Sequence, residues 1–179
     1  MADAAHEEPY VSKRDERYHQ SQLVAHWTIV FLVLMQFLFN GQMQEDFARA
    51  VDLGFMPPSG GVWTHGLGGT IILIAMIWRL FMRRHYGAPP PPETEPGWLQ
   101  KISRGVHYAF YVFLIGMPLA GMLALYTLNP TVAWLHGLAS KILLALIVAH
   151  FAGAMWHALK KDGVVKRMLR RNPADRASI

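Results

Sequence analysis

At 179 residues the chain is long enough for one compact unit, but 53% of it is hydrophobic and its mean hydropathy is positive, so the membrane class comes before the soluble one. Cysteine is absent, which excludes disulfides, thiolate-held iron–sulfur clusters, zinc ribbons and covalent haem attachment through Cys-x-x-Cys-His. The formal charge of +5 does not point to nucleic acid, because the 17 Lys and Arg residues sort between the apolar segments instead of forming one patch.

Residues 1–20 are polar. The first apolar segment, "LVAHWTIVFLVLMQFLFNG" at 23–41, follows them without a small-residue cleavage pattern and reads as a retained span over 22–41. The connection 42–61 contains "EDFARAVDLGFM", in which Phe47, Val51 and Phe55 fall near helical spacing, a short interfacial helix ended by "PPSGG". A second span is expected over 62–82, followed by "YGAPPPPETEPG" at 86–97, a stiff polyproline-like linker that cannot be helical. The third span, 103–126, contains "GMPLAG"; Pro118 should kink it, and Gly116 and Gly121 should permit close approach. A short connection makes the fourth span, 136–160, its antiparallel neighbour. Each segment has about the 20 apolar residues that cross a bilayer. The fold class is therefore all-α, an integral-membrane four-helix bundle over 21–161 with a basic tail at 162–179.

Charge sets the orientation. Lys13, Arg14 and Arg17 precede the first span, Arg83, Arg84, Lys101 and Arg104 flank the second connection, and Lys160, Lys161, Lys166, Arg167, Arg170, Arg171 and Arg176 follow the fourth. The first connection has only Arg49 against Glu45, Asp46 and Asp52. The positive-inside rule then places both termini in the cytoplasm.

Ionisable residues inside spans are rare and usually functional. His136 and His150 are 14 residues apart, about 21 Å along the axis and within about 40° of one face. His157 follows a further seven residues on. With the deduced topology, His65 shares the outer half with His136 and His26 shares the inner half with His150, giving two cross-helix histidine pairs stacked through the membrane. A lone histidine would be read as an interhelical hydrogen bond; two pairs matched by depth need more. Zinc would require further ligands at each site, whereas haem iron needs only two axial ones. Bis-histidine b-type haem, an electron-transfer arrangement with no open iron position, fits best. "HGLGG" at 65–69 either leaves room for a macrocycle or is ordinary small-residue packing.

Several pieces together resemble the bacterial cytochrome b561 family, related to the cytochrome b subunits of hydrogenases and formate dehydrogenases: "HW" at 26–27, His65 with Gly69 and "WRL" at 78–80, "HYAFYVFLIGMPLAG" at 107–121, the fourth-span histidines, and "KKDGVVKRML" at 160–169. The resemblance covers Tyr18 to Leu169. It implies two haem b groups, with His26 and His150 as axial ligands of the inner one and His65 and His136 of the outer one, and membrane quinone as an electron-exchange partner. His157 in place of His150 is the alternative inner ligand. His107 and His157 are otherwise candidates for quinone or propionate contact, or are solvated helix-end residues. Arg79, Arg104 and Lys141 are propionate partners or snorkelling anchors.

Three functions follow as expectations. The first is a bacterial inner-membrane di-haem oxidoreductase passing electrons between an outer donor and ubiquinone, with superoxide as one donor. The second is a membrane-anchor subunit linking a dehydrogenase or hydrogenase to quinone. The third, from another class, is a non-redox helical transporter.

Overall fold

The computed structural model describes residues 18–91 and 95–169. Residues 1–17, 92–94 and 170–179 lie outside that set, and with them most of the polar N-terminal segment, part of the proline-rich linker and the end of the basic tail. The regular elements among the described residues are all helices: α1 Gln20–Leu38, α2 Gly41–Leu53, α3 Gly60–Tyr86, α4 Gly97–Thr127, α5 Pro130–Lys160 and α6 Val164–Leu169. Four of them, α1, α3, α4 and α5, are long and apolar enough to cross a membrane. The all-α architecture with four spans is thus as expected. At 1.5 Å per residue α4 and α5 are each about 46 Å long, well beyond the roughly 30 Å of hydrocarbon, so they continue through the headgroup layers.

The boundaries differ from the sequence reading for local reasons. α1 stops at Leu38, three residues early, because Phe39 leaves helical geometry (φ −120°, ψ 28°) and the chain restarts at Gly41. α4 begins at Gly97 instead of 103, directly after Pro96 at its cap. The fourth span begins at Pro130, six residues early. Asn129 accepts from the N–H groups of Thr131 at 2.9 Å and Val132 at 3.2 Å, and Pro130 fills the first helical position, where a missing N–H costs nothing. The short connection between the third and fourth spans is therefore a tight turn at Leu128 and Asn129, with Leu128 left-handed at φ 47°. Pro118 sits inside α4 without ending it.

One period organises the interior. In each span a histidine stands seven residues from a buried aliphatic side chain: His26 and Val33, His65 and Ile72, His107 and Leu114, and His136, Leu143 and His150 in sequence. A seven-residue repeat keeps one stripe of each helix turned toward its neighbours in a left-handed bundle. Val33, Ile72, Leu114 and Leu143, with Ile29 and Met76, form one core cluster, a dry layer lying between the two histidine levels. Away from this stripe, large apolar residues such as Val24, Phe31, Ile74, Val112 and Val148 are exposed, as a lipid-facing surface requires. The spans pack α1 on α3, α3 on α4 and α4 on α5.

An even number of crossings brings Gln20 and Lys160 to one end of the bundle, the terminal end; α2 and the Leu128–Asn129 turn mark the other, the α2 end. The short helix expected in the first connection is present as α2, but it ends at Leu53 because Gly54 turns left-handed (φ 73°), so Phe55 and "PPSGG" lie beyond it. The helix is held against the start of α3, where Ala50 is fully buried and Asp46 accepts a hydrogen bond from Ser59, the cap of α3. Gly61 makes this contact possible: a Cβ there would stand 2.9 Å from Asp46 Oδ2 and 3.1 Å from the Met43 backbone nitrogen. Gly61→Val is expected to lift α2 while the four spans stay formed. Hydrogen exchange across 41–53 should rise at least tenfold with exchange in the spans unchanged; unchanged protection of α2 would refute the contact's role.

Candidate functional site

The heptad stripes place imidazoles at two levels. At the α2 end, His65 of α3 and His136 of α5 face each other with ring centroids 6.0 Å apart and planes at 72°. At the terminal end, His26 of α1 and His150 of α5 stand 6.4 Å apart at 71°. Both pairs predicted from depth are brought together. Two imidazoles on opposite sides of one metal ion, with metal–nitrogen bonds of about 2 Å and about 1.1 Å more to each ring centre, have centroids about 6.2 Å apart. Both spacings are close to that value.

The protein surroundings of the rings also suit a ligated group. His136 Nδ1 lies 3.0 Å from the Met117 carbonyl oxygen, an arrangement that puts the proton on Nδ1 and leaves Nε2 with its lone pair. Gly121, one turn beyond Met117, opens the way, since a Cβ there would sit 3.2 Å from His136 Cε1. His65 Nδ1 is buried without a protein hydrogen-bond partner. A polar ring atom left so in apolar surroundings points to a partner the chain does not itself supply. Among the described residues no cluster of three or more His, Asp or Glu could hold a bare metal ion. Pairs of imidazoles suit a macrocycle that brings the other four iron ligands.

A third imidazole joins the terminal-end level. His107 packs edge-on against His150, with centroids 5.3 Å apart at 90°, and its Nδ1 lies 2.7 Å from the Ser103 carbonyl. That spacing is about 1 Å short of the bis-axial value, so His107 is in ring contact with His150 and not opposite it across an ion. Phe110 closes another edge of His150 at 5.4 Å.

The remaining candidates separate. Arg79 lies at this level, donating to the Gln22 carbonyl at 3.2 Å in a small recess it shares with Tyr18, Gln22, Arg83 and Tyr111. Arg104 is exposed and, among the described residues, bonds along its own helix, to Gln100 O at 3.4 Å. Lys141 is exposed and turned about 140° around α5 from His136. His157 lies between two carboxylates, Nε2 3.0 Å from Glu95 and Nδ1 2.6 Å from Asp162. Neither nitrogen is left for iron.

Sequence reasoning missed four participants. Glu95 and Asp162, hidden in the linker and the tail, clasp His157 and so join the α3–α4 connection to the α5–α6 turn. Arg167 to the Pro90 carbonyl at 2.8 Å and Trp27 to the Met168 carbonyl at 3.0 Å complete this strap across the terminal end. Gln22 is buried and donates to Gly87 O at 3.1 Å; Gln36 donates to the His65 carbonyl at 2.8 Å. Gln36 could have been flagged as an amide inside an apolar run; Gln22, at the polar edge of that run, carries no such signal.

Partial burial raises the Asp162 pKa, but hydrogen bonds from His157 and the Val164 N–H outweigh it, with Lys160 nearby, and hold the carboxyl below its ordinary value. A depressed carboxylate stabilises the folded arrangement above its ordinary pKa and loses that contribution as pH falls through the lowered one. Protection of the α6 amides, taken relative to the intrinsic exchange rate at each pH, should therefore be high near neutrality and fall only below about pH 4. Asp162→Asn should exchange faster at neutral pH and lack the acid transition; an acid transition surviving in that variant would assign it elsewhere.

A family model described as prokaryotic cytochrome b561 matches residues 17–171. The chain is 29% identical over 154 residues to cytochrome b562 of Cereibacter sphaeroides, covering 86% of this chain and 95% of the relative. It is 23% identical over 183 positions to cytochrome b561 homolog 1 of Escherichia coli, with 87% and 98% covered. It is 24% identical over 115 residues to a probable superoxide oxidase CybB of Yersinia pestis, with 62% and 59% covered.

Proposed function

The chain belongs to the prokaryotic cytochrome b561 family, a membrane electron-transfer protein of that type, and from this membership we propose that it is a di-haem b-type cytochrome exchanging electrons between a donor at the α2 end and quinone in the bilayer. The observation that carries the reading is the pair of histidine spacings, 6.0 and 6.4 Å, at two levels of one bundle. His65 and His136 would hold the haem at the α2 end, and His26 and His150 the one at the terminal end; bound there, haem would supply one-electron ferric–ferrous chemistry.

The chain's own residues hold, orient and insulate. Met117 O fixes the His136 tautomer, the layer of Val33, Ile72, Leu114 and Leu143 keeps water out between the two levels, and the His107 ring buttresses His150. Arg79 offers a guanidinium for a propionate at the terminal-end level; Arg104 serves as an interfacial anchor, and Lys141, exposed two residues from Leu143, snorkels from within the span. Arg83, Arg84, Lys101, Arg104, Lys160, Lys161, Lys166 and Arg167 all gather at the terminal end, which supports a cytoplasmic location for it in a bacterial inner membrane. At the α2 end Glu45 and Asp52 are exposed beside Arg49. This face attracts a protein donor with basic residues better than it attracts the superoxide anion.

Purified protein should show two b haems per chain in a reduced-minus-oxidised spectrum, and a soluble ubiquinol should reduce them at a rate proportional to protein. A preparation with two haems that quinol does not reduce would remove quinone from the proposal. A preparation without haem would overturn it and favour a non-redox bundle.

A further inference from the structure

The two histidines at the α2 end are oriented by different means. The His136 ring is gripped directly by Met117 O, but no protein group bonds the His65 ring nitrogen Nδ1. What the chain contributes to its placement comes through the backbone that carries it. That backbone is held across the α1–α3 interface by Gln36, whose Nε2 donates to the His65 carbonyl at 2.8 Å.

The amide is costly there. Gln36 lies in the apolar run of α1, where an unbonded polar side chain is strongly disfavoured, and its place exists because Gly68 has no side chain. A Cβ at Gly68 would stand 2.6 Å from Gln36 Nε2 and 3.3 Å from Cδ, and Gly69 passes the same atom at 3.8 Å. The His65 carbonyl already faces the Gly69 N–H within α3; Gln36 reaches its second lone pair through the gap left by the glycines. Gly66, by contrast, has open space around its Cβ position. The "HGLGG" cluster therefore contains a seat for an amide from the neighbouring helix, a role that neither ordinary helix packing nor room for a macrocycle accounts for.

We propose that Gln36, seated against Gly68, is the positioning residue for His65. It pins the turn of α3 that carries the ring, and with it the His65 side of the α2-end haem site. The inference rests on the reading of His65 as an axial ligand and adds to it the element that fixes that ligand.

The test uses full-length protein with Gln36→Leu, Gly68→Ala, Leu67→Ala as a lipid-facing control, and His65→Ala as the reference for the haem concerned. Readouts are haem content, the two midpoint potentials, and carbon monoxide binding to the reduced protein. A bis-histidine haem takes up carbon monoxide only if an axial imidazole lets go. Gln36→Leu and Gly68→Ala are expected to keep two haems while one of them, the haem missing in His65→Ala, binds carbon monoxide and shifts to higher potential. The other haem and the Leu67→Ala protein should behave as wild type.

Two haems with unchanged potentials and no carbon monoxide binding in both variants, beside loss of one haem in His65→Ala, would sink the inference and leave the ligand assignment standing. Unchanged haem content in His65→Ala would sink the ligand assignment, and the inference with it. Equal disturbance of both haems would show a general packing role and also overturn it. If Gln36→Leu fails to fold, Gly68→Ala decides alone: its clash is with the movable end of the Gln36 side chain, which can swing aside, release the hydrogen bond and leave the helices in place.

Discussion

His150→Ala is expected to leave one haem per chain, and His136→Ala to leave one as well, each retaining the haem the other has lost. The reasoning is geometric. α5 supplies one imidazole to each pair, and the centroid distances of 6.4 Å to His26 and 6.0 Å to His65 match two imidazoles on one iron. Removing either ring deletes an axial bond that no neighbour is placed to replace. His107 is the nearest substitute at the terminal end, but its ring meets His150 edge-on at 5.3 Å and its Nδ1 faces Ser103 O. Because the two levels are separated by the Leu143 layer, about 10 Å from each along α5, the losses should be independent and the double variant should contain none.

His157→Ala provides the discriminating control. Both of its ring nitrogens face carboxylates, so this variant should keep both haems while loosening the strap across the terminal end. Pyridine haemochrome content and the reduced spectrum of each variant measure these outcomes. Two haems remaining in either His136→Ala or His150→Ala, or one lost in His157→Ala, would force a different ligand set.

How far the sequence carried this picture depended on what sort of signal each feature leaves. Spans and histidine depth are encoded in runs and periods, so the four long helices and the juxtaposition of His65 with His136 and of His26 with His150 were legible. So was α2, from the spacing of Phe47 and Val51. The start of α5 was not, because it is set by the Asn129–Pro130 cap, a local signal that leaves no apolar period. The clasp on His157 was invisible for another reason: Glu95 and Asp162 lie 67 residues apart in segments that look like solvated linker and tail, and only the folded chain brings them to one ring.

The glycines show the same limit. Gly116 and Gly121 read alike in "GMPLAG", yet a Cβ at Gly116 would meet nothing within 4 Å while one at Gly121 would touch His136. Which of two glycines is a contact depends on the face it occupies. Gly121 completes the heptad stripe begun by His107 and Leu114; Gly116 falls outside it.

That difference makes Gly121→Leu the second large effect. The Met117 carbonyl serves the α4 helix through one lone pair and His136 Nδ1 through the other, and the imidazole reaches it across the face of Gly121. An added Cβ alone would stand 3.2 Å from His136 Cε1 and 3.4 Å from Nδ1, tight enough to displace the ring by a few tenths of an ångström. The further carbons of leucine have no room unless the ring leaves. Gly121→Leu should therefore mimic His136→Ala, falling from two haems to one and losing the same spectral component, although every histidine remains. Gly121→Ala should retain both haems, with only the α2-end potential moved, and Gly116→Ala should match wild type in both respects. A Gly121→Leu protein with two haems at unaltered potentials would show that His136 does not depend on the Met117 carbonyl for its seat, and the ring's orientation would then have to be set by the bound group itself.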